Sequence, residues 1–134
     1  MHSAGAAGRA RGGGPTDSLY AVSLWLVRQQ RHREAAAVAR ALVRLAPHDE
    51  RSWLVLGACH ERRDQMDLAL EMYGVGRTLA APAPRCELAR ARLFRERGMQ
   101  TEATEAYASA EAAAQDLGDD ALIRLIEQER TPWD

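Results

Sequence analysis

The chain has 134 residues and a formal net charge of −1, and all 18 of its basic residues are arginine. This length suits one domain with its own core, and the near-zero charge gives no general attraction to nucleic acid or to an anionic membrane. No apolar run in the sequence is long enough to cross a bilayer. Cys59 and Cys86 lack the spacing of a zinc site, so we expect buried thiols in a reducing compartment, the cytoplasm.

The beginning of the chain differs in composition from the rest. Residues 1–15 are rich in glycine, alanine and arginine, with three consecutive glycines before Pro15. Such a segment buries too little apolar area to compensate for the entropy lost on ordering. We therefore expect a disordered tail over 1–15, which also lacks the apolar region of a secretory signal.

Helical spacing starts at Thr16, and a first pair of helices is predicted over about 16–49. Thr16 or Asp17 is expected to cap the first helix. An apolar stripe then follows at helical spacing, formed by Leu19, Val22, Leu26 and Val27. The second helix, from about 33 to 45, is dense in alanine, and Pro47 interrupts the chain after it.

A second pair of helices is predicted over about 50–83. Asp49 is expected to cap its first helix, near 50–62, and Asp64 its second. Gly57 leaves room for the partner helix at a point where a side chain would clash. The proline-rich stretch around Pro82 ends the pair.

The third pair, over about 84–117, has weaker apolar character in its first helix, where Glu87 and Arg90 replace apolar residues of the second pair. Gly98 is expected to make the turn between the helices, and Gly118 to stop the second of them. A last helix, over about 119–130, has one polar side. It is expected to cap the array and to close a domain of about 16–130.

The three pairs are copies of one unit. A shift of 34 residues aligns whole columns, namely Ala35, Ala69 and Ala103; Ala39, Tyr73 and Tyr107; and Leu26, His60 and Phe94. The second copy also has the tetratricopeptide (TPR) pattern W-x2-L-G followed by alanine, an aromatic residue and proline. This period predicts an all-α, right-handed superhelix of about three TPR hairpins with an open concave groove.

The sequence contains no recognisable catalytic or metal-ligating pattern. His60 precedes Glu61 but lacks the second histidine of an H-E-x-x-H site. The glycines at 12–14 lack the lysine and hydroxyl of a phosphate-binding loop. We therefore expect a protein that is not an enzyme, needs no cofactor and no metal, and binds a peptide.

The repeat register predicts which residues face the groove. In this repeat type, positions two, five, nine and twelve of each first helix share one face. The predicted peptide-binding residues are Tyr20, Leu24, Val27, Leu54, Ala58, Glu61, Leu88, Arg92 and Arg95. They give an apolar floor at one end and an arginine cluster at the other. The ninth positions carry no lysine or asparagine, which argues against a clamp for a C-terminal carboxylate.

Two stretches carry a family resemblance. They read LAPHDERSWLVLGAC at 45–59 and QMDLAL at 65–70. They resemble the second repeat of the class II chaperones of bacterial type III secretion, the small TPR chaperones of hydrophobic translocator proteins. The resemblance extends over about 18–116, and the LGAC and DLA elements are its most specific part.

The resemblance implies a cytosolic chaperone of a bacterial virulence machinery. Its groove would hold an extended segment of a secreted translocator and keep it soluble before export. The positions that match the family's groove are Tyr20, Leu24, Leu54, Ala58, Leu88 and Arg92. Family members usually carry a further helical segment at the N-terminus, often tied to dimerisation. This chain has the glycine-rich tail there, so a homodimer stays open.

Two other functions also stay open. The first is a needle-subunit co-chaperone of the same machinery, which uses similar repeats. The second is a general TPR adaptor for protein–protein interaction, unrelated to secretion.

Overall fold

The computed structural model describes residues 14–131. Residues 1–13, on which most of the predicted tail falls, lie outside this range. The described part of the chain forms seven α-helices and no strand. They are α1 (Pro15–Arg28), α2 (His32–Leu45), α3 (Glu50–Arg62), α4 (Met66–Leu79), α5 (Pro84–Glu96), α6 (Gln100–Leu117) and α7 (Asp120–Arg130).

The helices pack as consecutive hairpins. α1 packs on α2, α3 on α4, and α5 on α6, while α7 packs against α6. The first helices of successive hairpins also touch, α1 against α3 and α3 against α5. This confirms the predicted all-α architecture of three TPR hairpins and a capping helix.

Small residues close each hairpin. Ala35, Ala69 and Ala103 are all 0% exposed, so the columns at a spacing of 34 residues are contact points between helices. Gly57 is the tightest of these points, because a Cβ there would lie 2.2 Å from the ring of Tyr73. The expectation that Gly57 makes room for the partner helix is therefore confirmed.

The beginning of α1 differs from the prediction. α1 begins at Pro15 with Gly14 as N-cap, and no side chain caps it. The prediction of a Thr16 or Asp17 cap is wrong because proline at the first helical position has no N–H to satisfy and already has a helical φ. Asp17 instead accepts a hydrogen bond from Nη2 of Arg51, at 3.0 Å.

The Asp64 cap is also wrong. Asp64 occupies a left-handed turn with φ of 56°, and Gln65 is the N-cap of α4 without a side-chain bond. The caps at Asp49 and Asp119 are confirmed, since each carboxylate accepts a hydrogen bond from a backbone N–H in the first turn of its helix. Gly98 and Gly118 take positive φ, at 73° and 67°, as expected for turns that favour glycine.

The outer side of α1 is apolar and uncovered by the described residues. Val22, expected in the apolar stripe, is 45% exposed, and Trp25 beside it is 50% exposed. The buried face instead carries Ser23, Leu26 and Val27. α1 packs only on α2 and α3, so only its inner face has a helix to pack against.

Carboxylates link successive hairpins. Oε1 of Glu50 on α3 accepts hydrogen bonds from the backbone N–H groups of Arg85 and Cys86 on α5, at 3.0 and 3.2 Å. These two amides belong to the first turn of α5, where backbone N–H groups have no partner within the helix. Nη2 of Arg85 also lies 3.5 Å from a carboxylate oxygen of Asp119.

The polar substitutions in the third hairpin compensate one another. Glu87 is only 8% exposed, and both of its oxygens lie 3.0 Å from Nε of Arg77 on α4. Nη1 of Arg90 lies 3.3 Å from one of them, and its guanidinium covers the ring of Phe94 at 5.2 Å. A hydrogen-bonded ion pair thus replaces the apolar contact made one repeat earlier.

Candidate functional site

An open cavity of about 390 Å³ lies between the first helices of the three hairpins. α1, α3 and α5 supply nearly all of its lining, and α4 contributes one tyrosine. The lining residues are Tyr20, Leu24, Val27, Leu54, Val55, Ala58, Glu61, Arg62, Tyr73, Ala89, Arg92 and Glu96. We call this cavity the groove.

The structure brings seven of the nine predicted groove residues together in the groove and places Leu88 and Arg95 elsewhere. Leu88 is 4% exposed and lies in a core cluster with residues of α6 and α7. Arg95 donates from Nη1 to the backbone carbonyl of Glu129, at 3.3 Å. Its guanidinium also lies 5.4 Å from the ring centroid of Tyr107.

Five lining residues were not predicted, and two of them left a signal in the sequence. Arg62 and Glu96 are 34 residues apart, each one position beyond the last groove position of its repeat. A wider window on the same helix face would have included them. Val55, Tyr73 and Ala89 line the groove through their places in the packed core, which repeat positions alone do not indicate.

One end of the groove is apolar. The side chains of Tyr20 and Leu24 pack against the core cluster of the first hairpin but remain partly exposed. Leu54 lies opposite them on α3 and is also partly exposed. The guanidinium of Arg51 covers the ring of Tyr20, with 4.9 Å to its centroid. This end therefore offers apolar surface to a ligand.

The other end is polar and is centred on Glu61 in the last turn of α3. The hydroxyl of Tyr73 donates a hydrogen bond to Oε2 of Glu61. Burial raises the pKa of Glu61 above its ordinary value, while the bond from Tyr73 lowers it and the charge of Glu96 raises it further. Burial also raises the pKa of Tyr73, and the neighbouring Glu61 adds to this effect.

The arginine cluster expected to face a ligand is engaged by α7. Nε of Arg92 donates to Oε1 of Glu129 at 3.0 Å, and Nη2 donates to Oε2. The hydroxyl of Tyr107 donates to the same carboxylate, at 3.2 Å. The hydrogen bond from Arg92 is the main cause that lowers the pKa of Glu129. Arg92 thus both lines the groove and fastens α7.

The remaining reactive groups lie apart from the groove. Cys59 and Cys86 are free and buried, as expected, and burial raises the pKa of both thiols. Residues 14–131 contain no group of three or more histidine, cysteine or carboxylate side chains placed to hold a metal ion. None of the helices described here is both long and apolar enough to span a membrane.

The sequence matches no protein-family model and no curated protein, but solved structures are similar. PcrH from Pseudomonas aeruginosa superposes with a TM-score of 0.73 at 25% identity, over 87% of this chain and 91% of PcrH. PcrH in complex with the chaperone binding region of PopB gives 0.73 at 25%, over 87% and 97%.

SycD of Yersinia enterocolitica, a type III secretion translocator chaperone, is also similar. Its complex with a peptide of the translocator YopD superposes with a TM-score of 0.65 at 24% identity, over 85% of this chain and 93% of SycD. Another SycD structure is an alternative dimer. The resemblance predicted from the LGAC and DLA stretches is confirmed by structure: this chain shares the helical-repeat fold of the type III secretion translocator chaperones.

Proposed function

We propose that this protein is a non-enzymatic chaperone of type III secretion. Its groove binds an extended segment of a hydrophobic translocator, or of another export substrate, and keeps that substrate soluble in the bacterial cytoplasm before secretion. The observation that carries the proposal is the open groove, with partly exposed Tyr20, Leu24 and Leu54 at its apolar end. PcrH, which has the same fold at 25% identity, binds the chaperone binding regions of PopD and PopB.

The shape of the groove supports an extended ligand. An extended peptide turns alternate side chains to the same side, and a few buried anchors carry most of the binding energy in such interfaces. A cavity of about 390 Å³ accommodates one or two large apolar side chains. Covering an apolar segment in this way removes it from self-association.

We assign Leu88 and Arg95 a different role from the other predicted groove residues. Leu88 is buried against α6 and α7, and Arg95 contacts Glu129 and Tyr107. Both therefore hold the capping helix on the third hairpin. The ligand-contacting residues in this proposal are Tyr20, Leu24, Val27, Leu54, Ala58, Glu61 and Arg92.

The identity of the partner separates this function from the two alternatives. A needle-subunit co-chaperone and a general adaptor would use the same groove for other proteins. We also propose a homodimer as the assembly state, supported by the dimer of SycD.

Co-expression with the candidate translocators of the same genome, followed by pull-down, tests the proposal. We expect the translocator to be soluble and retained only with the chaperone present. Leu54→Glu should weaken retention by about tenfold or more, since it places a charge in the apolar end of the groove. Leu68→Glu is the matched control, because Leu68 is 41% exposed on α4 and outside the groove. Equal retention by wild type and Leu54→Glu would contradict the proposed binding site.

A further inference from the structure

The carboxylate of Glu61 lies in the groove without a positive partner. Its one described hydrogen bond comes from the hydroxyl of Tyr73 and goes to Oε2. No arginine of residues 14–131 forms an ion pair with it within 4.0 Å. The side chain is nevertheless partly buried, and Oε1 has no described donor.

The scaffold fixes the carboxylate in this place. Gly57 has no side chain, so the ring of Tyr73 can cross α3 at a distance that a Cβ would not allow. Tyr73 itself is 2% exposed and cannot move away easily. Its hydroxyl therefore holds Glu61 at the groove rather than letting the side chain extend into solvent.

A ligand that covers the groove would remove more water from Glu61. A desolvated carboxylate is costly unless a donor or an opposite charge replaces the water. Burial already raises the pKa of Glu61, which indicates that its charge is poorly solvated before any ligand binds. The ligand must therefore bring a compensating group.

The surroundings favour a cation as that group. Glu96 adds a second carboxylate at the same end, and α3 ends beside Glu61 with the partial negative charge of its last carbonyls. The two nearby cations are Arg62, which is exposed, and Arg92, which is bound to Glu129.

We propose that Glu61 selects a basic side chain, arginine or lysine, in the segment that the groove binds. Glu61 lies seven residues along α3 from Leu54, a distance of about 10 Å. An extended chain covers that distance in about three residues. The basic residue is thus about three positions from the apolar residue that fills the end formed by Tyr20, Leu24 and Leu54. This inference rests on the proposed peptide-binding function of the groove.

A random dodecapeptide library displayed on phage tests the selectivity. It is selected against the full chain, against Glu61→Gln, and against Glu71→Gln as a matched control on the exposed side of α4. Wild type and Glu71→Gln should enrich an apolar anchor together with arginine or lysine two to four positions away. Glu61→Gln should keep the apolar anchor and lose the basic preference.

Each other result overturns a stated part of the reasoning. An apolar anchor without a basic preference in wild type, a preference for neutral donors instead, or a basic preference that survives in Glu61→Gln would overturn the role of Glu61. Wild type that enriches no apolar anchor would overturn the proposed function, and this inference with it.

A second measurement uses only the wild-type protein, so it decides the question even if Glu61→Gln fails to fold. In a selected peptide, the basic residue is replaced by citrulline or norleucine, and affinity is measured by fluorescence anisotropy. We expect about a tenfold loss or more, and little change when a basic residue elsewhere in the same peptide is replaced. Unchanged affinity at the selected position would overturn the inference.

Discussion

Gly57→Ala tests how closely α4 crosses α3. A Cβ at residue 57 would lie 2.2, 2.6 and 2.7 Å from three ring carbons of Tyr73. Carbon atoms that are not bonded pack at about 3.5–4.0 Å, so the ring must move by more than 1 Å. Tyr73 is 2% exposed and bonded to Glu61, so this movement disturbs both the core and the groove.

The expected cost follows from two opposing effects. Overpacking a filled core costs about 1–3 kcal/mol, and losing the Tyr73–Glu61 hydrogen bond costs about 1 kcal/mol more. Alanine offsets about 0.5–1 kcal/mol of this, because it favours the helix over glycine. We expect a net loss of about 2 kcal/mol in the free energy of unfolding. For a domain of this size, that lowers Tm by about 8 °C.

Thermal unfolding followed by circular dichroism measures this change. Gly74→Ala is the matched control, since it lies within α4 and a Cβ there meets nothing within 4 Å. It should raise Tm by about 2–4 °C through helix propensity alone. If Gly57→Ala melts at or above wild type while Gly74→Ala shows its gain, Tyr73 does not cross α3 as described.

Three further predictions concern the core, the capping helix and the assembly. Ala69→Leu, at a site that is 0% exposed, should cost about 1–3 kcal/mol of stability; an unchanged Tm would mean that the repeat register is wrong. Glu129→Gln should lower Tm at neutral pH. Because the bond from Arg92 lowers the pKa of Glu129, this contribution is present above the ordinary glutamate pKa and is lost as the pH falls through the lowered one. The Tm difference between wild type and Glu129→Gln should therefore shrink below about pH 4, and a difference independent of pH would contradict the ion pair. Light scattering should give twice the chain mass of 14.8 kDa, whereas the single-chain mass would contradict the proposed homodimer.

The sequence predicted the parts of the fold that repeat. Ala69, Gly57 and Tyr73 occupy positions that recur in the TPR pattern, so their contacts follow from the register alone. The apolar end of the groove follows in the same way, because Leu24 and Leu54 lie at equivalent positions of a shared helix face.

Contacts that depend on one hairpin's neighbours were not predictable from the repeat. Leu88 and Arg95 follow the same positional rule as their counterparts, but α7 covers that face of the third hairpin. The bond between Tyr73 and Glu61 requires a ring to cross a helix, and helix periodicity does not report such a crossing. Capping failed at Thr16 and Asp64 because proline and a left-handed turn determine those helix starts.

The carboxylate of Glu50 has a consequence for how the hairpins can be recombined. It supplies the acceptor for two amides at the start of α5, so the third hairpin has its first turn completed by a residue of the second. A permuted or excised third hairpin would lose that acceptor and expose both amides to solvent. These units are therefore not exchangeable modules, and a chimaera that keeps each hairpin intact would still need to transfer Glu50 together with α5.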